Sequence, residues 1–388
     1  MSKLEKLIAE LCPDGVEYKS IREIAEVGTG NSNGNESVDN GLFPFFVRSQ
    51  TIKSKDDYEY DEEAIIIPGE GGIGEIFHYI NGKYALHQRV YRIHFFVEDV
   101  NTKFAYYYMQ AYFKPFILKK AVSATVTSIR KPMIEDFPLP VPPLPVQREI
   151  VRILDNFTEL TAELTAELTA RKQQYAYYRD KLLTPRTDYR HGKIIDMLKQ
   201  PITDGPHTTP ELMEDGIPFL SVEAVFDGKI HFEKRRGNIT PEFDAECCKK
   251  YKPQKHDIFM VKSGSTTGKV GYVDTDERFN IWSPLAAMRV NSENSSRYLF
   301  HLLQSKMVQQ QVVAKASHGS QPNLSMRALE QFDVVIPPLD IQLRLANVLD
   351  NFDAICTDLN IGLPAEIEAR KKQYEYYRDK LLTFTPAD

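Results

Sequence analysis

The chain has 388 residues, 42% of hydrophobic type and 11% aromatic, which is enough apolar side chain for two or three domains with proper cores and too much for a disordered chain. Its 48 Lys and Arg against 54 Asp and Glu give a formal net charge of −6, which excludes a uniformly basic phosphate-binding surface and leaves only local basic patches. No run of about 18 apolar residues occurs, the opening MSKLEKLIAELC has no apolar leader core, and Cys12, Cys247, Cys248 and Cys356 show no C-x-x-C spacing. A cytoplasmic protein with reduced thiols and no metal site is expected.

In chain order, GTGNSNG from Gly28 reads as a flexible segment, too loosely spaced for a cofactor loop. Phe43-Pro-Phe-Phe reads as strand-like, and IIIPGEGGIGEI from Ile65 as a strand running into a glycine-rich turn. ATVTSI from Ala124 leads through an apolar run to Pro142-Pro143. Beyond Pro145 no Gly or Pro occurs up to Thr184, and Ile150, Ile153, Leu154, Phe157, Leu160, Leu164 and Leu168 recur every three or four residues. That pattern predicts one amphipathic helix from Val146 to Leu183, roughly 55 Å long at about 1.5 Å per residue. Its middle is the doubled tetrapeptide TAELTAEL, Thr161 to Leu168, whose four-residue unit overshoots a helical turn and makes the Leu stripe drift.

The second half repeats the first. PPLPVQREIVRILDNF (Pro142 to Phe157) and RKQQYAYYRDKLLT (Arg171 to Thr184) return as PPLDIQLRLANVLDNF (Pro337 to Phe352) and RKKQYEYYRDKLLT (Arg370 to Thr383). Upstream, Ile217-Pro-Phe-Leu answers Phe43-Pro-Phe-Phe, IFMVKSGSTTGKVGYV from Ile258 answers the run at Ile65, and GSQPNL from Gly319 answers ATVTSI. IGLP at Ile361 to Pro364 puts a break in the second helix, with Pro364 starting a fresh segment. Two variable domains, each followed by a shared helix, pair their apolar stripes most simply as antiparallel rods about an approximate two-fold axis. Duplex DNA has such an axis too, so two half-sites at a set distance are a natural ligand, with each TAEL unit adding roughly 6 Å to the spacer.

No catalytic constellation emerges. SGSTTGKV, Ser263 to Val270, has one residue too few between its glycines for a phosphate loop and continues into β-prone VGYV, so a hairpin is expected. On a duplex such a hairpin offers Lys262, Ser263, Ser265, Thr266, Thr267 and Lys269, with glycines permitting close approach. The matching GEGGIGEI keeps Gly71 and puts Glu70 and Glu75 where lysines would be, leaving Arg48, Gln50, Lys83, Gln88 and Arg89 as the first half's candidates. Ser320, Gln321 and Asn323, with Thr125, Thr127, Ser128 and Arg130 in the first copy, form polar loops able to meet base edges, and Thr208 joins them. His87 and His207 are weaker candidates, better read as ordinary surface or core histidines. Local basic clusters stand at Lys229, Lys234, Arg235 and Arg236 and at Lys249, Lys250, Lys252 and Lys255. An Asn or Asp followed by Pro-Pro and an aromatic, the signature of an amino-methyltransferase, is absent.

The opening LEKLIAELCPDGVEYKSIREIAE, the PPLPVQREIVRILDNFTELTAELTAEL run, RKKQYEYYRDKLL, GKVGYV and GSQPNLS together resemble the specificity subunits of type I restriction-modification systems, and the TAEL repeat resembles their IC subfamily. The resemblance implies an α+β fold: two α/β target recognition domains, residues 1–144 and 187–339, and two conserved coiled-coil-like helices, 145–186 with the TAEL repeats and 340–388. It also implies a non-catalytic subunit that binds double-stranded DNA, two methyltransferase subunits and restriction or translocase subunits, with S-adenosylmethionine, ATP and Mg confined to those partners and no membrane involved. Tyr175, Tyr178, Arg179, Tyr374, Tyr377 and Arg378 on the repeated helices are expected to meet the partners, or else to pack the helix pair. A helical-hairpin adaptor with two protein-binding heads and no DNA is the rival reading, favoured by the acidic balance.

Overall fold

The structure, a computed structural model, describes residues 2–120, 128–185, 187–317, 321–358 and 360–387. The chain forms two compact units, one of Met1–Glu163 with Glu368–Asp388 and one of Leu164–Ile367. Its helices include α1 (Thr102–Lys120), α2 (Leu144–Leu182), α3 (Ser296–Gln304), α4 (Leu339–Thr357) and α5 (Leu363–Leu381). None among the described residues is long and apolar enough to cross a membrane.

The first unit holds strands β1 (Tyr18–Ser20), β2 (Ala25–Thr29), β3 (Phe43–Phe46), β4 (Lys53–Lys55), β5 (Tyr60–Pro68), β6 (His78–Leu86), β7 (Val90–Phe95) and β8 (Pro138–Pro140). Six of them make one sheet in the order β2-β7-β5-β6-β3-β4, with β3 parallel to β6 and the other pairs antiparallel. The continuous run Ala64 to Ile67 is fully buried because β5 is central and covered on both faces. One face packs Ile65, Ile67 and Ile93 against Phe104, Met109, Phe113 and Ile117 of α1. GTGNSNG is not the loose segment expected. Gly28 lies in β2, Ser32 is buried with its hydroxyl donating to Glu59, and a Cβ on Gly30 would collide with Leu86 O, so glycine there serves close packing.

The second unit repeats the plan with β9 (Arg190–Lys193), β10 (Thr203–Asp204), β11 (Ile217–Leu220), β12 (Gly237–Ile239), β13 (Ile258–Val261), β14 (Val270–Tyr272), β15 (Asn280–Ile281), β16 (Leu285–Met288) and β17 (Asp333–Ile336). Here the sheet is split into β10-β16-β13-β14 and β12-β11-β15. The strand answering β6 is interrupted: Asp274-Thr-Asp-Glu-Arg278 carries charge where β6 continues through Gly82, and such residues leave the ladder. The parallel contact survives, since β11 pairs with β15 as β3 pairs with β6. At the unit bases, β1 pairs with β8 and β9 with β17 in the same antiparallel manner.

Each long helix is tied to its unit by a matched set of side chains. After the Pro-Pro pair, buried Gln147 accepts from Asn101 N–H at 2.8 Å and donates to Pro142 O at 2.6 Å; buried Gln342 accepts from Ser295 N–H at 2.9 Å and donates to Pro337 O at 2.8 Å. Two turns on, Asp155 binds Lys103 Nζ and the Tyr107 hydroxyl, while Asp350 binds Arg297 and His301. The next anchors are reciprocal. Phe157 stacks on Tyr377 at 5.5 Å in the first unit, and Phe352 stacks on Tyr178 at 5.6 Å in the second, each pair being the repeat image of the other.

α2 is uninterrupted for 39 residues, with Pro145 in its first turn where no N–H is required. The expected break at IGLP lies between α4 and α5, where a Cβ on Gly362 would come within 2.6 Å of Asp358 O. Replacing Gln342 by Ala leaves a buried N–H and a buried carbonyl without partners and should cost about 2–4 kcal/mol in denaturant unfolding of the second unit. Arg344→Ala, one turn-side away and exposed, should stay within about 0.5 kcal/mol. Equal effects of the two would show that the glutamine clamp is not what holds the helix.

Candidate nucleic-acid interface

In the second unit, residues 262–269 join β13 to β14 as the expected hairpin: Gly268 N–H donates to Val261 O and Val261 N–H to Lys269 O, both at 2.8 Å. Gly264 and Gly268 have φ of +98° and +94°, conformations that suit glycine. A strand follows Lys269, so the helix that a phosphate-binding loop would require is not there.

Three stretches distant in sequence meet at this hairpin. Leu324 N–H donates to Lys262 O at 2.7 Å and Gly264 N–H to Pro322 O at 3.0 Å, which lays Gln321 and Asn323 along one side. On the other, Lys262 N–H donates to Pro284 O at 2.9 Å, Ser283 N–H to Pro206 O at 3.2 Å, and the Ser283 hydroxyl lies 2.9 Å from His207 Nδ1. Exposed Thr208 follows His207.

The first unit builds the same framework with different side chains. Ile129 N–H donates to Gly69 O at 2.7 Å, Gly69 N–H to Arg89 O at 3.0 Å, and Gln88 N–H to Ser32 O at 3.0 Å, while Gln88 Nε2 donates to Asn33 Oδ1 at 2.8 Å. Gly69 thus answers Lys262, Arg89 answers Pro284, Gln88 answers Ser283 and Asn33 answers His207. Ser128 and Arg130 flank the first of these bonds.

Charge is distributed differently in the two strips. Arg48 and Arg89 both reach Glu70 at 2.9 Å; the hydrogen bond from Arg48, then the charge of Arg89, hold its carboxyl below the ordinary range. Both guanidinium groups remain about half exposed. In the second unit Asp204, 1% accessible, lies 2.5 Å from Lys250 and 3.2 Å from Lys262. Burial acts to raise its carboxyl and the two ammonium groups outweigh it. Lys262 is therefore held inward by an acid, whereas Lys269 and Ser265 are exposed.

Other candidates fall elsewhere. Gly71 has φ +76° and a Cβ there would be 2.9 Å from Arg48 O, so it shapes the turn. Gln50 is exposed, Lys83 sits along β6 with its ammonium 4.5 Å from the Tyr58 ring, and the Thr267 hydroxyl turns inward to Gly264 O; Thr266 is half-buried in the same turn. Thr125, Thr127 and Ser320 lie outside the described residues. His87 is a core histidine, 6% exposed, its Nδ1 accepting from Arg89 N–H; burial first, then Arg48 and Arg89, push its pKa down. The second basic cluster is largely neutralised: Lys249 pairs with Glu246, Lys250 with Asp204 and Lys255 with Asp276. Among the described residues, no group of three or more His, Cys, Asp or Glu is placed to hold a metal ion.

The helix tyrosines named from the sequence differ in burial, and Tyr377 keeps 37% of its surface exposed. Tyr175 is 8% exposed and bonded to His301 at 2.9 Å, Tyr374 is half-buried against the first unit's core, and Tyr178 and Tyr377 take part in the stacks described above. Arg179 and Arg378 lie over the rings of Tyr175 and Tyr374. The outward tyrosines are Tyr177 and Tyr376, 60% and 63% exposed at equivalent positions. Helical spacing carried that signal: 175, 178 and 182 continue the Leu stripe of 164 and 168, and 177 falls off it.

A family model described as type I restriction modification DNA specificity domain matches residues 13–171 and again 206–369. A Haemophilus influenzae protein named as a type I restriction enzyme specificity subunit is 30% identical over 412 residues, covering 98% of both chains. A type I restriction enzyme specificity subunit of Escherichia coli is 31% identical over 258 residues, covering 64% of this chain and 63% of its own. Among solved structures, a type I restriction-modification S subunit from M. genitalium superposes with a TM-score of 0.55 at 15% identity, covering 95% of each chain, which supports the fold.

Glu70→Gln removes the counter-charge of Arg48 and Arg89 from an exposed pair, so it should leave folding unchanged and steepen the fall of duplex-DNA affinity with salt by about one to two units of log–log slope. An unaltered slope in a fluorescence-anisotropy salt series would place those arginines off the duplex.

Proposed function

We propose, since this chain belongs to the type I restriction modification DNA specificity family, that it reads a bipartite, asymmetric DNA target, one half-site per unit, and that partner subunits perform all the chemistry. The observation that carries this reading is the duplicated strip: one backbone framework, built twice, presents exposed Gln88, Arg89 and Asn33 in one unit and exposed His207, Gln321 and Asn323 in the other. Two scaffolds of one shape with unlike polar edges suit two different short sequences.

In this reading residues 1–144 and 187–339 are the recognition domains, and the helices at 145–186 and 340–388 space them. Two methyltransferase subunits, carrying S-adenosylmethionine, dock on the repeated helices, where Tyr177 and Tyr376 offer the same exposed aromatic twice. Restriction subunits, with ATP and Mg, join the same cytoplasmic assembly. The adaptor alternative has no observation of its own in favour, since the acidic net charge coexists with the exposed arginines of the strips.

Two experiments test the proposal. In gel shifts with the chain and its cognate methyltransferase subunit, duplex binding should weaken about a thousandfold or more between 50 and 200 mM salt if roughly six or more phosphates are contacted; absent or salt-insensitive binding favours the adaptor. Deleting Thr165 to Leu168 shortens α2 by one TAEL unit, roughly 6 Å. Methylation sequencing should then show the gap between half-sites changed and both half-sites intact, and an unchanged gap sinks the spacer role.

A further inference from the structure

Arg236 stands just before β12, and its guanidinium carbon lies 3.8 Å from the ring centroid of Trp282, the chain's single tryptophan. Trp282 follows β15 and is the chain neighbour of Ser283, whose hydroxyl lies 2.9 Å from His207 Nδ1. The backbone fixes both partners, because Arg236 N–H donates to Phe219 O at 3.0 Å and Trp282 N–H to Leu220 O at 2.9 Å, adjacent residues of β11. The indole Nε1–H is buried without an acceptor among the described residues, so packing and the guanidinium are what hold the ring's orientation.

Several other cations of this unit are engaged with acids or carbonyls, Lys250 and Lys262 with Asp204, Arg278 with Asp244 and Arg235 with Phe232 O, while Lys234 and Lys269 are exposed. Arg236 is exposed and, among the described residues, pairs with no carboxylate. A guanidinium lying flat on an aromatic face keeps its N–H edge free in a fixed plane, at little entropy cost on binding. That edge matches the O6 and N7 acceptors of guanine in the major groove.

The first unit has no counterpart. The strand registers place Ile52 where Arg236 stands and buried His87 where Trp282 stands.

We infer that Arg236, braced on Trp282, is a specificity-determining residue of the second unit that reads a guanine in that unit's half-site alone. This rests on the DNA-reading function proposed above and adds the base, the residue and the asymmetry.

The test uses the full chain assembled with its methyltransferase subunits and methylome sequencing of cells producing the complex. Arg236→Ala should relax one guanine position of one half-site, with discrimination there falling about ten- to hundredfold, while the other half-site and the gap stay unchanged. Trp282→Phe, which keeps a stacking face, should retain the guanine, and Trp282→Leu should relax it in the same direction as Arg236→Ala. Both half-sites intact in Arg236→Ala, or relaxation in the half-site of the first unit, overturns the inference. Should Arg236→Ala abolish methylation altogether, gel shifts of the wild-type complex on duplexes carrying 7-deazaguanine decide: weaker binding at one guanine of one half-site supports it, and equal binding at every guanine overturns it. A wild-type complex that binds no specific duplex fails the underlying function instead, whatever Arg236 does.

Discussion

The candidate strip of each unit hangs on backbone hydrogen bonds in which no side chain takes part. Ile129 N–H to Gly69 O and Leu324 N–H to Lys262 O pin the loop after each domain's helical layer onto a glycine-containing hairpin, and a second bond from each hairpin reaches the start of the next strand. Because amides and carbonyls are the same whatever residue carries them, side chains along the strip can be exchanged without disturbing its shape. Gly69 and Lys262, Arg89 and Pro284, Gln88 and Ser283 show that exchange within a single molecule.

The opposite logic governs the helices, where side chains do the holding and are kept. Gln147 and Gln342, Asp155 and Asp350, Phe157 and Phe352, Tyr178 and Tyr377 recur as pairs because each satisfies a buried polar group or fills a fixed aromatic contact. Their partners differ only in kind: Asp155 receives Lys103 and Tyr107, Asp350 receives Arg297 and His301. Among the tyrosines of these helices Tyr175 is buried, Tyr377 keeps 37% of its surface exposed while stacked on Phe157, and Tyr177 and Tyr376 are the most exposed.

Net charge is a poor guide to the charge of the candidate strips. The acidic balance is spent largely on pairing lysines and arginines, so the clusters at Lys249 to Lys255 contribute little free positive charge. Arg130 and Lys269 on the strips, and Arg236 on its indole, are exposed without an acid partner among the described residues.

By itself the sequence determined the duplication, the long uninterrupted helix, its break at Gly362 and the hairpin at Ser263 to Val270, because each is set by local chemistry: residue spacing, absence of Gly and Pro, or a positive φ that glycine accepts. It also determined the strand correspondences at Phe43 and Ile217. Only the tertiary structure decided which polar residues share a surface. Ser283 and His207, 76 residues apart, meet through a strand pairing that no local pattern encodes, and so do Arg236 and Trp282. It likewise decided which charges are free, since Lys262 and Lys269 look alike in sequence and differ only in the presence of Asp204, brought beside one of them by the alignment of β10 with the sheet.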